Sequence, residues 1–473
     1  MFSNKMAIIG LVILIVSTFI ALAAPLVAPY SPKATLLSSP GSQPEWVTYF
    51  PDGYYLSKNI ILVNDPGFNN PSAVQAWTVT GTPSAVSNLQ VSYSPGVYTV
   101  SPQGYTSKGS LQMLYSGSSP NGVNLTSSFN YPYHGSPGKF LATVSYLTSG
   151  ATAAQPIGLR VFVDRGDDTF VLYDKNITSS GQWNSLSLDS DSQLIQQTLN
   201  TAYSTNLNPA QIIFSSQRSF TFGIELKFSG PQSVNIDNLQ LKLYGTAFGL
   251  FGTDDQGSDI LSWVIWGSRV SLFVGYLSAF LGIGLGLLVG LMAGFLGKLV
   301  DEALMRFTDM MLVIPSLPLL IVLVAIIGAN IFNIIIIIGF LGWMGFARVI
   351  RSQVLSLKER PFIEASRAAG SGPMRTMFVH IFPNLVSLTY VNLALSVPAA
   401  ILTESALEFL GLGDPSAVSW GNMFDHARAA NALLSYWWWI IPPGIAIAVV
   451  SLSFVLVGYA LDEIFNPKLR QRR

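Results

Sequence analysis

Cysteine is absent from the 473-residue chain and histidine occurs only three times, which excludes several classes of site. There is neither a disulfide framework nor a thiolate metal centre, and the scattered histidines do not make a His-rich metal site. Charged residues are also scarce, at 11% of the chain against about 25% in ordinary soluble domains. Basic and acidic residues balance at 25 each, so net charge indicates no nucleic-acid partner. Because half of the residues are hydrophobic, the chain is predicted to be a membrane protein.

Hydrophobic residues are unevenly distributed along the chain. An apolar run from about residue 6 to 28 precedes a polar stretch to about residue 250, after which apolar segments recur. About 20 apolar residues span a hydrocarbon core, so the first run is long enough for an anchor. A cleaved signal peptide is the alternative, because ALAA at 21–24 is typical of a cleavage site. The length of the run and the single Lys5 before it favour an anchor.

These shifts in composition predict three regions. They are a first transmembrane anchor helix at 1–30, an extracellular β-sandwich domain at 31–248, and a helical membrane domain at 249–473.

Alternation of apolar and polar residues predicts strands in the polar stretch. Every even position of 220–228 is apolar, and 234–243 repeats the pattern with a break at Asp237–Asn238. Further strands are predicted around 140–146, 159–163 and 170–173. Short strands separated by turn residues indicate an antiparallel sandwich.

The stretch resembles jelly-roll carbohydrate-binding modules at two points. Its opening, Asn64 to Phe68 followed by Trp77, is similar to their first strand, and 234–239 is similar to their last. Exposed aromatic rings can stack on sugars, and the candidates are Trp46, Tyr54, Tyr55, Tyr131, Tyr133 and Trp183. The alternative is that these rings pack the core and that the domain is a spacer or a platform for a partner protein.

Two sites fit the acceptor pattern for N-glycosylation, Asn124-Leu-Thr and Asn176-Ile-Thr. An exported domain makes both plausible acceptors. The low charge and the abundance of Ser, Thr and Asn also suit an acidic exterior, where carboxylates are protonated. This composition is typical of an archaeal acidophile.

Five further apolar segments follow, at about 262–296, 303–328, 331–356, 381–408 and 434–462. With the first, they predict six transmembrane helices. The connections near 297–306 and 357–380 and the C-terminal tail are rich in Lys and Arg, whereas the loop at 411–433 holds one basic residue, Arg428. The positive-inside rule therefore predicts cytoplasmic N- and C-termini and an extracellular β-domain.

Small and charged residues inside these segments suggest how the helices pack. Glycines at 282, 284, 286, 290 and 294 predict close helix approach, since spacings of four put them on one face. Glu404 and Glu408 lie four apart in the fifth segment. Buried carboxylates in lipid are functional candidates, so the pair either lines a pathway or has a structural role, with Arg269 as a candidate partner.

One cytoplasmic loop carries the most specific motif, Glu364-Ala-Ser-Arg-Ala-Ala-Gly370 followed after nine residues by His380-Ile-Phe-Pro383. It resembles the EAA loop of ABC importer permeases, Glu-Ala-Ala-x3-Gly-x9-Ile-x-Leu-Pro. Glu364, Ala365, Gly370 and Pro383 match the motif, whereas Ser366, His380 and Phe382 depart from it. Gly370 is expected to let the chain turn after a short helix, and Pro383 is expected to start the next element, where its missing N–H costs little. The histidine is similar to the dipeptide/oligopeptide branch, and the resemblance extends over the first helix and nearly everything after residue 250.

The resemblance implies a type I importer permease fold and a role for the six loop residues Glu364, Ala365, Ser366, Gly370, His380 and Pro383 in coupling to an ATPase. It implies transport of peptides, oligosaccharides or related solutes across the plasma membrane. The implied partners are a second permease subunit, two ABC ATPase subunits and an extracellular binding protein. The chain has no Gly-x4-Gly-Lys-Ser/Thr phosphate loop, so ATP and Mg²⁺ are expected on the partner ATPases, and this chain is expected to bind no cofactor.

Two other functions compete with this one. A secondary transporter would have an inverted repeat or ion ligands at the membrane midplane, and neither is found in the sequence. A membrane-anchored protein that binds or hydrolyses carbohydrate would use the β-domain. Hydrolysis requires a pair of carboxylates flanking a cleft, and nothing in the sequence pairs Asp164, Asp167, Asp168 or Glu225 in this way.

Overall fold

A computed structural model of the chain describes residues 5–100, 107–203 and 206–465. The chain divides into two compact units, one made of 1–34 with 258–473 and the other of 35–257. The second unit ends later than the sequence predicted because residues 249–257 hydrogen-bond back to its first residues. Gly249 O accepts from Glu45 N at 2.8 Å, and Gln256 O accepts from Leu36 N at 3.0 Å. The first unit opens with helices α1 (Lys5–Leu22) and α2 (Ala24–Val27).

The unit 35–257 consists of two antiparallel sheets, and we call it the β-domain. Its described strands are β1 (Ile60–Ile61), β2 (Thr78–Gly81), β3 (Leu89–Pro95), β4 (Gly109–Tyr115), β5 (Asn121–Tyr131), β6 (Lys139–Ser149), β7 (Ile157–Asp164), β8 (Thr169–Ile177), β9 (Asn184–Asp189), β10 (Arg218–Phe228) and β11 (Gln232–Tyr244). The first sheet has the order β3-β4-β11-β6-β9, with β1 also paired to β11, and the second has the order β2-β5-β10-β7-β8. Short helices α3 (Pro83–Ser87), α4 (Gln193–Tyr203) and α5 (Pro209–Ile213) connect them.

Apolar side chains from both sheets share one buried cluster, so the β-domain is a sandwich. Tyr115 of the first sheet stacks on Phe228 of the second, with ring centroids 5.0 Å apart. The five predicted strands are confirmed, and so is the break in β11. The pairing of β11 with β6 shifts between Asp237 and Gln240, and Asn238 takes a φ of 50°, a conformation that Asn tolerates better than most residues.

The other unit, which we call the membrane unit, is helical after residue 258. Its described helices are α6 (Ile260–Leu296), α7 (Lys298–Val313), α8 (Ser316–Ile327), α9 (Ile331–Leu341), α10 (Met344–Lys358), α11 (Pro361–Ala368), α12 (Pro373–Arg375), α13 (Phe382–Phe409), α14 (Trp420–Ala429) and α15 (Trp437–Phe465). Within the described residues, five spans are long and apolar enough to cross a membrane, and a sixth is added if the bent pair α7–α8 is one span.

The third predicted membrane segment, 303–328, is broken rather than straight. Helices α7 and α8 meet at an angle of 90°. Pro315 lies at the break, and Ile314 before it is extended, with ψ of 125°. Proline has no N–H for a helical hydrogen bond, and it disfavours helical geometry in the residue before it. The break therefore follows from Pro315, which the apolar pattern alone did not reveal.

Glycines of α6 allow close contact with α9 and α10, as their spacing predicted. A Cβ on Gly286 would lie 2.7 Å from Trp343 O, and one on Gly290 would lie 2.6 Å from Ala347 O. Gly282 and Gly294 make similar approaches, at 3.1 Å to Gly339 O and 2.7 Å to Val354 Cβ. Gly284 is the exception, because a Cβ there would meet open space.

Two ion pairs join α7 to α10 beside this contact. The Asp301 carboxylate accepts two hydrogen bonds from the Arg351 guanidinium, at 2.5 and 2.7 Å. Asp309 pairs with Arg348. A bidentate arginine–carboxylate pair fixes orientation as well as distance, so α7 is held to α10 at two points.

We expect Gly290→Ala to destabilise the membrane unit, because its methyl group would be forced against the backbone of α10. Overpacking of this kind costs about 1–3 kcal/mol. The matched control is Gly284→Ala, which adds the same group where there is space and gains up to ~1 kcal/mol of helix propensity. Thermal unfolding of the purified full chain in nanodiscs should give a lower Tm for the first variant and an equal or higher Tm for the second. Equal shifts in both variants would contradict the contact.

Candidate functional site

The loop between α10 and α13 holds the six residues singled out by the motif. Pro361 occupies the first turn of α11, where a missing N–H costs little. The helix ends at Ala368, and Gly370 then takes a φ of 85°. This is the left-handed turn predicted for Gly370, and a residue with a Cβ adopts it only with strain.

After this turn a second short helical segment leads to α13. Residues Thr376–Ile381 form one π-helical turn, and the side-chain amide of Asn384 in α13 donates to the His380 carbonyl at 2.7 Å. Helix α13 follows at Phe382, with Pro383 in its first turn as the motif predicted.

One face of helix α11 packs against other helices of the membrane unit. Ile363 is fully buried in a cluster with Phe295 of α6, Ile350 of α10 and Ile381. The Ser366 hydroxyl is also buried, without a hydrogen-bond partner among the described residues. The Arg367 guanidinium lies 5.5 Å from the centre of the Phe295 ring. Helix α11 therefore packs in one buried cluster with three neighbouring segments.

The opposite face of α11 is exposed. Glu364, Ala365 and Ala368 point outward together with Phe362, whose side chain is 46% exposed. The Glu364 carboxylate takes part in no ion pair within the described part of the chain. This face is compact and combines an acidic group, small residues and one large ring. Such a surface on a short, anchored helix suits a groove on another protein.

The two intramembrane carboxyl groups are buried in a network of hydroxyl groups. Glu404 is 0% exposed and Glu408 is 2% exposed. Ser271 of α6 donates to both Glu404 oxygens at 3.3 Å, and Ser405 donates to one of them at 3.3 Å. The Ser419 hydroxyl donates to Glu408. Burial of such groups is costly unless donors surround them, and the serines supply those donors.

The same network attaches the short helix α14 to α13 and α6. Ser419 caps α14 by accepting from the Asn422 N–H at 3.1 Å. The Trp420 N–H donates to Ser271 Oγ at 3.2 Å. Gly421 lies so close that a Cβ there would be 2.3 Å from Glu408 Oε2. Sequence reasoning missed these partners, although a serine directly before a helix is a recognisable cap signal.

Arg269 does not join this network. Its guanidinium lies 5.3 Å from the centre of the Trp266 ring, and its side chain is exposed. Among the described residues, no ion pair links it to Glu404 or Glu408. The structure thus separates the basic residue from the two acids that the sequence grouped with it, because Arg269 lies on the outer surface of α6.

A cavity of about 270 Å³ opens between α6, α8, α9 and α13. Its polar lining side chains are hydroxyl groups, and among the described residues no charged side chain lines it. Ser316, Ser396 and Thr403 contribute from α8 and α13, with the small residues Gly342 and Ala399 between them. Glu404 and Glu408 do not line this cavity.

The two candidate glycosylation sites differ in their surroundings. Asn176 is exposed on β8, an edge strand of its sheet. Asn124 is half-buried on β5, which has neighbours on both sides. Glycosylation stays a prediction at both, and access favours Asn176.

We expect Ser419→Ala to destabilise the membrane unit, because it removes the cap of α14 and a donor to Glu408. An unsatisfied buried acceptor costs about 1–3 kcal/mol. Ser435→Ala is the matched control, since Ser435 is exposed and such substitutions stay within about 0.5 kcal/mol. The Tm of the full chain in nanodiscs should fall for Ser419→Ala alone. An unchanged Tm would show that the network adds no stability.

Comparison with known proteins identifies the family. Residues 286–471 match the model of the binding-protein-dependent transport system inner membrane component, and residues 1–44 match the N-terminal TM domain of oligopeptide transport permease C. The chain is 39% identical to the oligopeptide transport system permease protein OppC of Bacillus subtilis (strain 168) over 224 residues, 47% of this chain and 72% of that protein.

Two solved structures are similar in part. A chain of the MetNI methionine ABC transporter, in an inward-facing conformation, is 19% identical with a TM-score of 0.33, covering 45% of this chain and 98% of that chain. TmCBM61, solved with β-1,4-galactotriose, is 12% identical with a TM-score of 0.24, covering 38% and 97%. The extent and identity of the match to OppC, with the two family models, show that the chain belongs to the family of inner membrane components of binding-protein-dependent transport systems.

Proposed function

We propose that this permease subunit imports peptides and that α11 couples it to a separate ATPase. The anchored helix with its outward face carries the proposal, because it joins the motif to a surface that a partner can reach. Membership of the family makes the chain a translocation component of an ABC importer rather than an enzyme. Peptides are favoured over oligosaccharides as the substrate because both the OppC relative and the N-terminal family model are named for oligopeptide transport.

The exposed face of α11 is the proposed docking surface for the ATPase. Ala365 and Ala368 leave room for close approach, and Glu364 offers a negative charge near the N-terminal end of the helix, where it is favourable. Because Ile363 ties the helix to α6, α10 and the start of α13, a displacement imposed on α11 reaches the spanning helices as a rigid-body movement.

The complete transporter is proposed to contain a second permease subunit, two ABC ATPase subunits and an extracellular binding protein. The basic residues of the loop around α11 favour a cytoplasmic location for that face under the positive-inside rule. The N- and C-termini are then cytoplasmic and the β-domain is extracellular. Four basic residues of the predicted cytoplasmic tail, Lys468, Arg470, Arg472 and Arg473, lie outside the described residues.

The hydroxyl-lined cavity is the proposed share of the translocation pathway in this subunit. Hydroxyl groups donate and accept hydrogen bonds, so Ser396, Ser316 and Thr403 suit the amide and carbonyl groups of a peptide backbone. A lining without charge does not select among side-chain charges. Glu404 and Glu408 are accordingly proposed to hold α14 in place rather than to contact the substrate.

We expect Glu364→Lys to uncouple the transporter, because it reverses the charge on the docking face of α11 without disturbing buried groups. Uptake of a labelled peptide by proteoliposomes containing the assembled transporter should fall about ten-fold or more, corresponding to ~1.4 kcal/mol of lost docking energy. Assembly of the subunits, followed by size-exclusion chromatography, should persist.

The charge-matched control is Asp255→Lys, which makes the same reversal at an exposed position of the β-domain and should transport normally. Gly370→Pro should behave like Glu364→Lys, since proline cannot adopt a φ of 85°. Normal uptake in both α11-loop variants would refute the coupling role.

The absence of cysteine gives a direct test of the pathway. In the assembled transporter, Ser396→Cys and Thr403→Cys should react with a charged, water-soluble thiol reagent, because the proposed pathway admits water. Phe280→Cys is the control. Phe280 is 64% exposed on α6 and is not among the residues that line this cavity, so it should face lipid. Labelling of the Phe280 variant alone, or equal labelling of all three, would contradict the assignment.

A further inference from the structure

The β-domain carries a dense patch of exposed aromatic side chains on one short segment. Trp46, Tyr49, Phe50, Tyr54 and Tyr55, which we call the aromatic patch, all lie within ten consecutive positions. Tyr49 is 81% exposed and Tyr55 is 70% exposed. Soluble surfaces rarely gather large rings in this way, and such patches mark contact sites.

The patch is a built surface rather than a loose loop. Its residues lie on and next to two short 3₁₀ helices, Glu45–Tyr49 and Pro51–Gly53. A Cβ on Gly53 would lie 2.1 Å from Val47 O, so the two turns are tightly packed on each other. Trp46 packs edge-on against Phe50, with ring centroids 6.1 Å apart.

Neighbouring parts of the β-domain hold the rings in place from outside the segment. The Tyr54 ring stacks on His134, with centroids 4.1 Å apart. The Trp46 indole donates to Leu250 O at 2.9 Å. The rings are therefore presented outward by a fixed backbone, which limits the entropy lost when they bind.

The patch follows, in sequence, the paired segments that begin at the two chain exits of the β-domain. Residues 36–45 and 245–257 are joined by backbone hydrogen bonds. At one end Leu37 N donates to Gly257 O at 3.0 Å, and at the other Glu45 N donates to Gly249 O at 2.8 Å. The patch begins directly after this paired segment, at Trp46. One hydrogen-bonded pair of segments therefore connects the patch with both exits.

Both exits lead at once to residues typical of a membrane interface. Residues 31–34 alone separate the β-domain from Tyr30, and residues 258–259 separate it from Ile260. In the membrane unit, Tyr30 N donates to Ser262 Oγ at 3.1 Å and the Trp266 indole donates to Tyr30 O at 3.3 Å. Tyr and Trp are enriched at the headgroup level of a bilayer. The segments 31–34 and 258–259 are so short that each spans less than about 20 Å.

We infer that the aromatic patch is a lipid-docking surface that rests in the headgroup region of the bilayer. Trp and Tyr rings suit this region because each has an apolar body and a polar tip. The occupant proposed is lipid rather than a sugar or a partner protein. The continuity of the patch with both membrane-entering links favours lipid. The inference is independent of the substrate proposed above.

Spin labels provide the test, since the chain has no native cysteine. The full chain is labelled at Tyr49→Cys in nanodiscs of phosphatidylcholine and phosphatidylglycerol, and collision with oxygen and with a water-soluble nickel chelate is measured by EPR. The control is Leu194→Cys, 59% exposed on α4 elsewhere in the β-domain. We expect nickel accessibility several-fold lower, and oxygen accessibility higher, at position 49 than at 194.

A second position guards against local distortion by one substitution. Tyr55→Cys should show the same protection as Tyr49→Cys. In nanodiscs with brominated lipid, wild-type tryptophan fluorescence should also be quenched more than that of Trp46→Phe. Nickel accessibility at positions 49 and 55 equal to that at 194 would overturn the inference.

Discussion

Close approach between α6 and its neighbours is the contact on which the membrane unit depends. In lipid there is little hydrophobic gain from bringing helices together, so association relies on van der Waals packing and buried hydrogen bonds. One face of α6 meets α9 and α10 through glycines such as Gly286 and Gly290. Another face reaches α13 and α14 through Ser271. Because both contacts use small residues, α6 sets the positions of all four helices.

The loop that carries α11 is held in place by this packing. Helix α11 is too short to be stable alone, yet Ile363 is fixed between α6 and α10 where the last glycine, Gly294, brings those helices together. A well-packed interior transmits strain instead of absorbing it. The exposed face of α11 is thus held by the same buried cluster that joins α6 to α10.

Sequence reasoning succeeded where the signal was local and periodic. Alternation located β10 and β11, the i, i+4 glycines predicted the contact face of α6, and Gly370 predicted a turn that the structure contains. It failed where the partners are distant in sequence. Nothing near Glu404 indicates Ser271, which lies on another helix, and Arg269 was a plausible partner only because its orientation was not visible. The break at Pro315 was within reach, since a proline inside an apolar run is a recognised signal.

The polar groups of the membrane unit fall into two physical classes, and the difference assigns their roles. Glu404 and Glu408 are buried and surrounded by donors, so their polarity is satisfied within the fold. Ser396 and Thr403, about two helical turns apart from each other, border an open cavity that neither glutamate lines. A polar surface left facing lipid would be costly. The hydroxyl-lined face is therefore better matched to water or a polar solute than to lipid.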